Sequence, residues 1–489
     1  MITASVLGAG IVFIDGTVVN VALPAIGRTF HSSLATLQWT VSAYTLTLAA
    51  LILVGGSIGD RYGRRRSFIV GVLWFAAASL ACGLAPNATV LILARALQGI
   101  GAALLTPESL AILQASFRPQ DRAQAIGTWS GMSGIAAAIG PFVGGYLIQA
   151  VSWRLIFLIN LPFVAAVVWI ARRHVPETSD ATAVGRLDMA GAGLATATLG
   201  TLIYGLIQGA SAGWAARGVV IALVTSVVAG LAFVVVERRV NDPMLPFAIF
   251  RARQFTAANL ATFMVYGALG GALFLLPLQL QQVLGYSPLE AGTALLPITL
   301  VMLVLSAQAG KLSQRIGPRL PMTVGPIVAG IGLAALSLVQ PGTTYLSTFL
   351  PAIVVFALGL ALTVSPLTAT VLAAAPVEHA GLASAVNNAV ARAAGLIAVA
   401  VLPAAAGLSA SSYLHPAAFT SGFRTAMWLA GGACALGGVI SAVTIRNDPA
   451  AAPAAEQSAR YSCSLDAPQL CADQGDGPLA SGTGRHPVA

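Results

Sequence analysis

The stretch Gly56-Ser57-Ile58-Gly59-Asp60-Arg61-Tyr62-Gly63-Arg64-Arg65 returns 254 residues later as Gly310-Lys311-Leu312-Ser313-Gln314-Arg315-Ile316-Gly317-Pro318-Arg319. The offset is the same at Gly56 and Gly310, at Arg61 and Arg315, and at Gly63 and Gly317. Each copy follows one long apolar segment and precedes another. A glycine- and arginine-rich hairpin repeated between hydrophobic helices implies a duplicated membrane protein. Parallel repeats of that kind build transporters whose halves rock about a central site. The second copy is degenerate, with Gln314 in the place of Asp60.

Composition points the same way. Of 489 residues, 57% are hydrophobic and 8% charged, whereas soluble domains carry roughly a quarter charged residues. The net charge of +9 does not mark a nucleic-acid partner, because the arginines occupy short gaps between apolar runs, as membrane orientation requires. Windows of about 19 apolar residues give fourteen spans, from Ala4–Ile26 to Ala426–Thr444, including Phe68–Leu84 and Ala291–Gln308. The first run exceeds signal-peptide length and contains Asp15, so it is expected to be a span and not a cleaved leader. The spans are expected to be helices, which satisfy their own backbone in lipid.

Eight spans separate the two hairpins, where a plain six-plus-six transporter places six; the extra pair is simplest at Met189–Ile207 and Gly218–Val236. The expectation is an all-α integral membrane protein of fourteen transmembrane helices: an N-terminal six-helix bundle at 1–175, a two-helix insert at 187–237, and a C-terminal six-helix bundle at 254–446. Residues 447–489 turn to Ala, Ser, Gly and Pro and are expected to form a disordered tail. Cys82 and Cys434 lie in apolar runs and Cys463 and Cys471 in the tail, with neither metal spacing nor a disulfide framework.

Several spans carry groups that are costly in lipid. Asp15 falls near the middle of the first, where a carboxylate marks function by default, the alternative being a hydrogen-bonding group that holds the helix to its neighbours. Arg95 and Gln98 share a face of the fourth, and a buried guanidinium there requires a carboxylate, carbonyl or water. Proton transfer and helix packing are both open for it. Glu108, after Pro107, is the other acid well inside a span. Gly140, Pro141, Gly144 and Gly145 permit close helix approach and a freed carbonyl in the fifth. Asn388 and Arg392 face one way in the thirteenth, while Asn20, Gln98, Phe263 and Tyr266 are further candidates for a cavity wall. Glu290, following Ser287 and Pro288, reads as a helix cap. The only lysine, Lys311, precedes Leu312, so the Gly-Lys-Ser/Thr of a phosphate-binding loop is missing and ion coupling is the remaining energy source.

The first hairpin resembles the G-x-L-a-D-R-x-G-R-R loop of the major facilitator superfamily, with Ile58 for leucine. Asp15-Gly16-Thr17-Val18-Val19-Asn20-Val21-Ala22-Leu23-Pro24 is similar to the first-span motif L-D-x-T-x-V-N-V-A-L-P of its drug:proton antiporters. Arg95–Ala102 is like R-x-x-Q-G-x-G-A, Gly140–Gly145 like the antiporter motif G-P-x-x-G-G, and Trp153–Pro162 like W-R-x-x-F-x-I-N-x-P of the fourteen-span branch. The resemblance covers nearly all of residues 4–446. It implies the major facilitator fold, proton coupling through Asp15 with Arg95 assisting and Glu108 second, and gating by Asp60, Arg61, Gly63, Arg64 and Arg65. The expected activity is export of hydrophobic or cationic drugs by a cell-membrane monomer without cofactor or metal, whose partners are protons, a small-molecule substrate and the bilayer. A substrate-specific exporter of a metabolite or self-made antibiotic is the alternative; a membrane enzyme or receptor lacks the extramembrane domain or clustered catalytic residues it needs.

Orientation follows from charge. The even-numbered gaps hold sixteen Arg and Lys residues, among them Arg61, Arg64, Arg65, Arg172 and Arg315, whereas the odd gaps hold Arg28, Arg154, Arg217 and Arg424. Both termini are therefore expected in the cytoplasm. Reporter fusions at Asp180, Leu245 and Ala450 should all report inside. An outside signal at Leu245 alone removes one inserted helix and defeats the fourteen-span reading.

Overall fold

The structure, a computed structural model, describes residues 1–117, 119–179, 187–240, 243–374, 380–408 and 415–447; the expected tail lies outside them. Among the described residues, fourteen helices are long and apolar enough to cross a membrane. They are α1 (Ile2–Phe30), α2 (Leu34–Tyr62), α3 (Arg64–Gly83), α4 (Ala88–Ser116), α5 (Ala125–Ala150), α6 (Leu155–His174) and α7 (Met189–Ala212). The rest are α8 (Arg217–Arg239), α9 (Arg253–Val283), α10 (Pro288–Ile316), α11 (Arg319–Leu336), α12 (Tyr345–Ala373), α13 (Leu382–Ala405) and α14 (Pro416–Thr444). The number of spans agrees with the hydropathy reading.

Their starts are written in the sequence. Ser33 accepts from the Thr36 N–H, Asn87 from Val90 and Asp188 from Gly191, each satisfying a donor that a helix start leaves open. Ser287 and Glu290 form a complete capping box. Near the end of α9, Pro277 removes a backbone donor and a π-helical turn follows at Gln279–Val283.

The two arginine hairpins differ from expectation. Asp60 and Arg61 close α2 and do not begin a loop; Arg64 and Arg65 already belong to the first turn of α3. The single residue between is Gly63, at φ 105°, ψ 124°, where L side chains are strained. In the second half α10 runs on to Ile316, and Gly317 makes the break at φ 83°, ψ 160°. Hydropathy windows stop at the first charges. The helices do not, because arginine and lysine are good helix formers and reach the interface along their stems.

Each junction is tied to the chain that leaves the sixth helix of its half. The Arg65 N–H donates to Glu177 Oε1 at 3.0 Å and Arg64 N–H to the Thr178 carbonyl at 2.8 Å. In the second half the Arg319 N–H donates to Asn447 Oδ1 at 3.0 Å. A charged cap in one half thus has a neutral counterpart in the other.

Helices α1–α6 pack mainly with one another, as do α9–α14, and α7 and α8 pair and lie against α2 and α13. Ile203 and Ile207 of α7 meet Leu396 and Ala400 of α13, with Trp39 and Leu46 of α2 alongside. Helices α1 and α5 face α9 and α10 across the middle. A network of buried polar groups lies inside the first bundle, on α1, α2, α3, α4 and α6.

Candidate functional site

Asp15 sits midway along α1 and is fully buried, as are Arg95 and Gln98 of α4. Arg95 Nη1 donates to Asp15 Oδ2 in a short charge-assisted bond and to Gln98 Oε1 at 2.7 Å. Gln98 Nε2 returns a bond to Asp15 Oδ1 at 2.9 Å and shares Ser79 Oγ of α3 at 2.9 Å. Asn160 of α6 also donates to Ser79 at 2.9 Å and reaches Asp15 Oδ1 at 3.4 Å. Arg95 Nε donates to the Thr40 carbonyl of α2 at 3.3 Å, and its guanidinium lies 4.3 Å from the Tyr44 ring centroid. Five helices therefore converge on one carboxylate. A buried ion pair is tolerated only when its remaining donors and acceptors are satisfied, and this one has carboxylate, amide, carbonyl and aromatic partners. Neutralising Asp15 would remove the charge that the Arg95 guanidinium pairs with.

Gln98, expected on a cavity wall, is instead committed to this network. Asn20 is half-buried and its carbonyl oxygen has no hydrogen-bond partner. Asn388 is exposed and donates to the Ser384 carbonyl of its own helix. Phe263 and Tyr266 are half-buried on α9. Arg392 is half-buried on α13, with its Nε atom buried and unpartnered.

Toward the arginine junctions the arrangement changes. Glu108 is fully buried and neither carboxyl oxygen has a hydrogen-bond partner. Its carboxyl lies on Gly59 of α2, where any Cβ would collide with it. One residue on, Asp60 Oδ1 accepts from Arg64 Nη2 at 2.7 Å and Nε at 2.9 Å. Arg65 and Arg66 approach Glu177 at 3.6 and 3.7 Å. Arg61 Nε is buried without a partner.

The Gly-Pro motif of α5 forms a tight contact at the end away from the junctions. A Cβ at Gly140 or Gly144 would overlap Thr17 or Val18 of α1, and one at Gly145 would strike the Pro288 carbonyl at the start of α10. Reciprocally, a Cβ at Gly292 of α10 would strike the Pro141 carbonyl. Gln281 Nε2 of α9 donates to the Val21 carbonyl of α1 at 2.9 Å, and Gln38 Nε2 of α2 to the Val399 carbonyl of α13 at 2.8 Å. Only the absence of side chains on α5 lets the backbones of the two halves meet. At Gly127, Gly131 and Gly134, along the rest of α5, a Cβ would touch nothing within 4 Å.

A buried charge pair at mid-span, a glycine junction in each half and a seal at one end are the parts of a rocking transporter. The family model of the Major Facilitator Superfamily matches residues 5–400. The chain belongs to the Major Facilitator Superfamily. It is 36% identical over 414 residues to the multidrug resistance protein Stp of Mycobacterium tuberculosis, covering 84% of this chain and 76% of that protein. It is 37% identical over 408 residues to the puromycin resistance protein pur8 of Streptomyces alboniger, covering 83% and 81% respectively. A crystal structure of the peptide transporter POT in complex with sulfate superposes with a TM-score of 0.63 at 16% identity, covering 90% of this chain and 93% of that one; at that identity the likeness is one of fold. The expected membership in the superfamily's drug exporter group is met, and the chain is a multi-pass membrane protein.

Within this superfamily member, Tyr44, Ser79 and Thr40 complete the Asp15 network without any signal in the sequence. Asn160 was visible, as the asparagine of the motif at Trp153–Pro162. Removing one partner of a buried pair strands the other charge at a cost of about 3–5 kcal/mol. Arg95→Gln should therefore lower the melting temperature of the purified protein further than the double variant Asp15→Asn/Arg95→Gln does. A double variant no more stable than Arg95→Gln alone would show that the two charges do not depend on one another.

Proposed function

We propose that this protein is a secondary active exporter that exchanges entering protons for hydrophobic, drug-like compounds by alternating access. Residues 1–175 and 254–446 are the rocking halves, the pair at 187–237 is an insert at their side, and both termini face the cytoplasm of a cell-membrane monomer. The observation that carries this reading is the fully buried Asp15–Arg95–Gln98 network at mid-span. It is supported by relatives that are themselves multidrug and antibiotic resistance proteins.

The cycle follows from which contacts Asp15 holds. With the seal at Gly140–Gly145 closed, Asp15 is paired with Arg95; this is the inward-facing, deprotonated state that takes substrate from the cytoplasm. Thr17 and Val18, which press against the α5 glycines, lie two and three residues along α1 from Asp15. Thr17 Oγ1 also donates to the Ala137 carbonyl of α5 at 2.9 Å. Substrate binding then rocks the halves outward and opens the seal; protonating Asp15 from the outer side breaks the pair, frees α1 from α4 and lets the substrate leave. Return to the inward-facing state restores the pair and expels the proton. Glu108, unpaired on the same helix as Arg95 and beside the α2–α3 junction, receives that proton on its way to the cytoplasm. Asp60, Arg61, Gly63, Arg64 and Arg65 form the gating junction, whose Asp60–Arg64 pair and Glu177 cap are closed in the inward-facing state and rearrange as the halves rock.

Uptake of dyes and antibiotics into inverted vesicles under an imposed pH gradient tests this. Transport should vanish on adding a protonophore. Asp15→Asn should reduce it at least tenfold while the protein still inserts, and Glu108→Gln should slow it less. Transport that survives the protonophore but stops on ATP depletion, or normal transport by Asp15→Asn, would contradict the reading.

A further inference from the structure

Two acids, Asp15 and Glu108, and two arginines, Arg95 and Arg392, lie well inside the spans, and only one of each is paired. Asp15 and Arg95 cancel, and Glu108 lies at the junction end of α4 against Gly59. Arg392 is left over. Among the described residues the ion pairs are Arg64–Asp60, Arg65–Glu177, Arg66–Glu177 and Arg95–Asp15, and none includes Arg392. Its Nε atom is buried without a hydrogen-bond partner. Its helix packs against α9 of its own half, where the Tyr266 carbonyl lies 3.8 Å from the position a Cβ at Gly395 would take. Arg392 is the eleventh residue of α13 (Leu382–Ala405), too far from either end for its side chain to reach the interface along its stem.

An unpaired guanidinium at this depth is costly in lipid and, where it occurs, faces a ligand path. The placement here is specific. Ala389, one turn before Arg392, packs against the cluster of Val12, Tyr44 and Leu48 in the first half, so this face of α13 is turned to the interface between the halves. Tyr44 of that cluster stacks its ring on Arg95 at 4.3 Å and donates its hydroxyl to the Val12 carbonyl at 3.4 Å. Tyr266 and Phe263, three apart on α9, share a face and are half-buried aromatic surface on the helix that packs against α13.

We propose that Arg392 is the counter-charge for an acidic group on the transported compound, so that the preferred substrates are hydrophobic organic anions bearing a carboxylate or an acidic phenol. This rests on the exporter reading above and narrows its substrate class. A planar guanidinium fork matches a carboxylate in two parallel bonds, the aromatic faces take the hydrophobic body, and a cationic compound meets like charge at Arg392, the unpaired carboxyl of Glu108 lying instead against Gly59 at the junction end of α4.

The test uses the full chain in lipid nanodiscs and two charge-opposed probe pairs, fluorescein with rhodamine 123 and 2-naphthoate with 2-naphthylmethylammonium. Equilibrium binding is measured for wild type, Arg392→Gln and Arg392→Lys. The wild type should bind each anion at least tenfold more tightly than its cationic partner. Arg392→Gln should lose that preference, and Arg392→Lys should keep part of it. A purely structural role for Arg392 would instead lower the melting temperature of Arg392→Gln and weaken both members of each pair alike. That outcome, equal or tighter binding of the cations, or no binding of either anion by the wild type overturns the proposal. Uptake of the same probes under a pH gradient separates this site from the exporter reading: Arg392-dependent anion binding without gradient-driven uptake sinks the exporter while the anion site stands.

Discussion

A carboxylate and a guanidinium face each other at mid-span, and five of the first six helices supply the groups that keep them satisfied. Asp15 on α1 is held by Arg95 and Gln98 of α4 and by Asn160 of α6, with Ser79 of α3 joining the two amides. Thr40 and Tyr44 bring in α2. In a low-dielectric interior each of these groups is expensive alone and inexpensive together. The network is complete with Asp15 charged, and the proposed coupling role rests on its loss when that charge is removed.

The other devices take their meaning from that pair. Helix α1 carries Asp15 and, within a turn, the side chains that close against the bare face of α5. The proposed coupling of Asp15 to the seal therefore needs only this one helix and no long relay. At the opposite end Gly63 and Gly317 supply the same backbone break in each half, while the caps differ: Glu177 with Arg65 in the first, Asn447 with Arg319 in the second. Duplication preserved the geometry and let the charge drift, as the change from Asp60 to Gln314 also shows.

Much of this was legible in the sequence. Span number follows from hydropathy, which is a property of each segment by itself, and the duplication follows from the offset between the two hairpins. Asp15 and Arg95 were visible as groups that lipid does not tolerate unpaired. What was not legible depends on three dimensions. Tyr44 and Ser79 are ordinary residues in apolar helices until folding sets them beside Asp15. Glu177 lies 112 residues from the Arg65 N–H it caps. The hairpins read as loops because charge ends a hydropathy window, although it does not end a helix. Gln98 looked like a cavity residue because amides are rare in spans; it is buried because Asp15 and Arg95 have lone pairs and protons that must be filled.

Infrared difference spectroscopy of the reconstituted protein reports most directly on whether Asp15 changes protonation as the halves rock. Spectra would be recorded between the substrate-loaded and proton-loaded states, with Asp15→Asn identifying the band. The account predicts that an Asp15-dependent carboxylate band disappears and a carboxylic acid C=O band appears in the proton-loaded state. A carboxylate band from Asp15 that persists unchanged in both states would contradict it, leaving the Asp15–Arg95 pair as a fixed structural element.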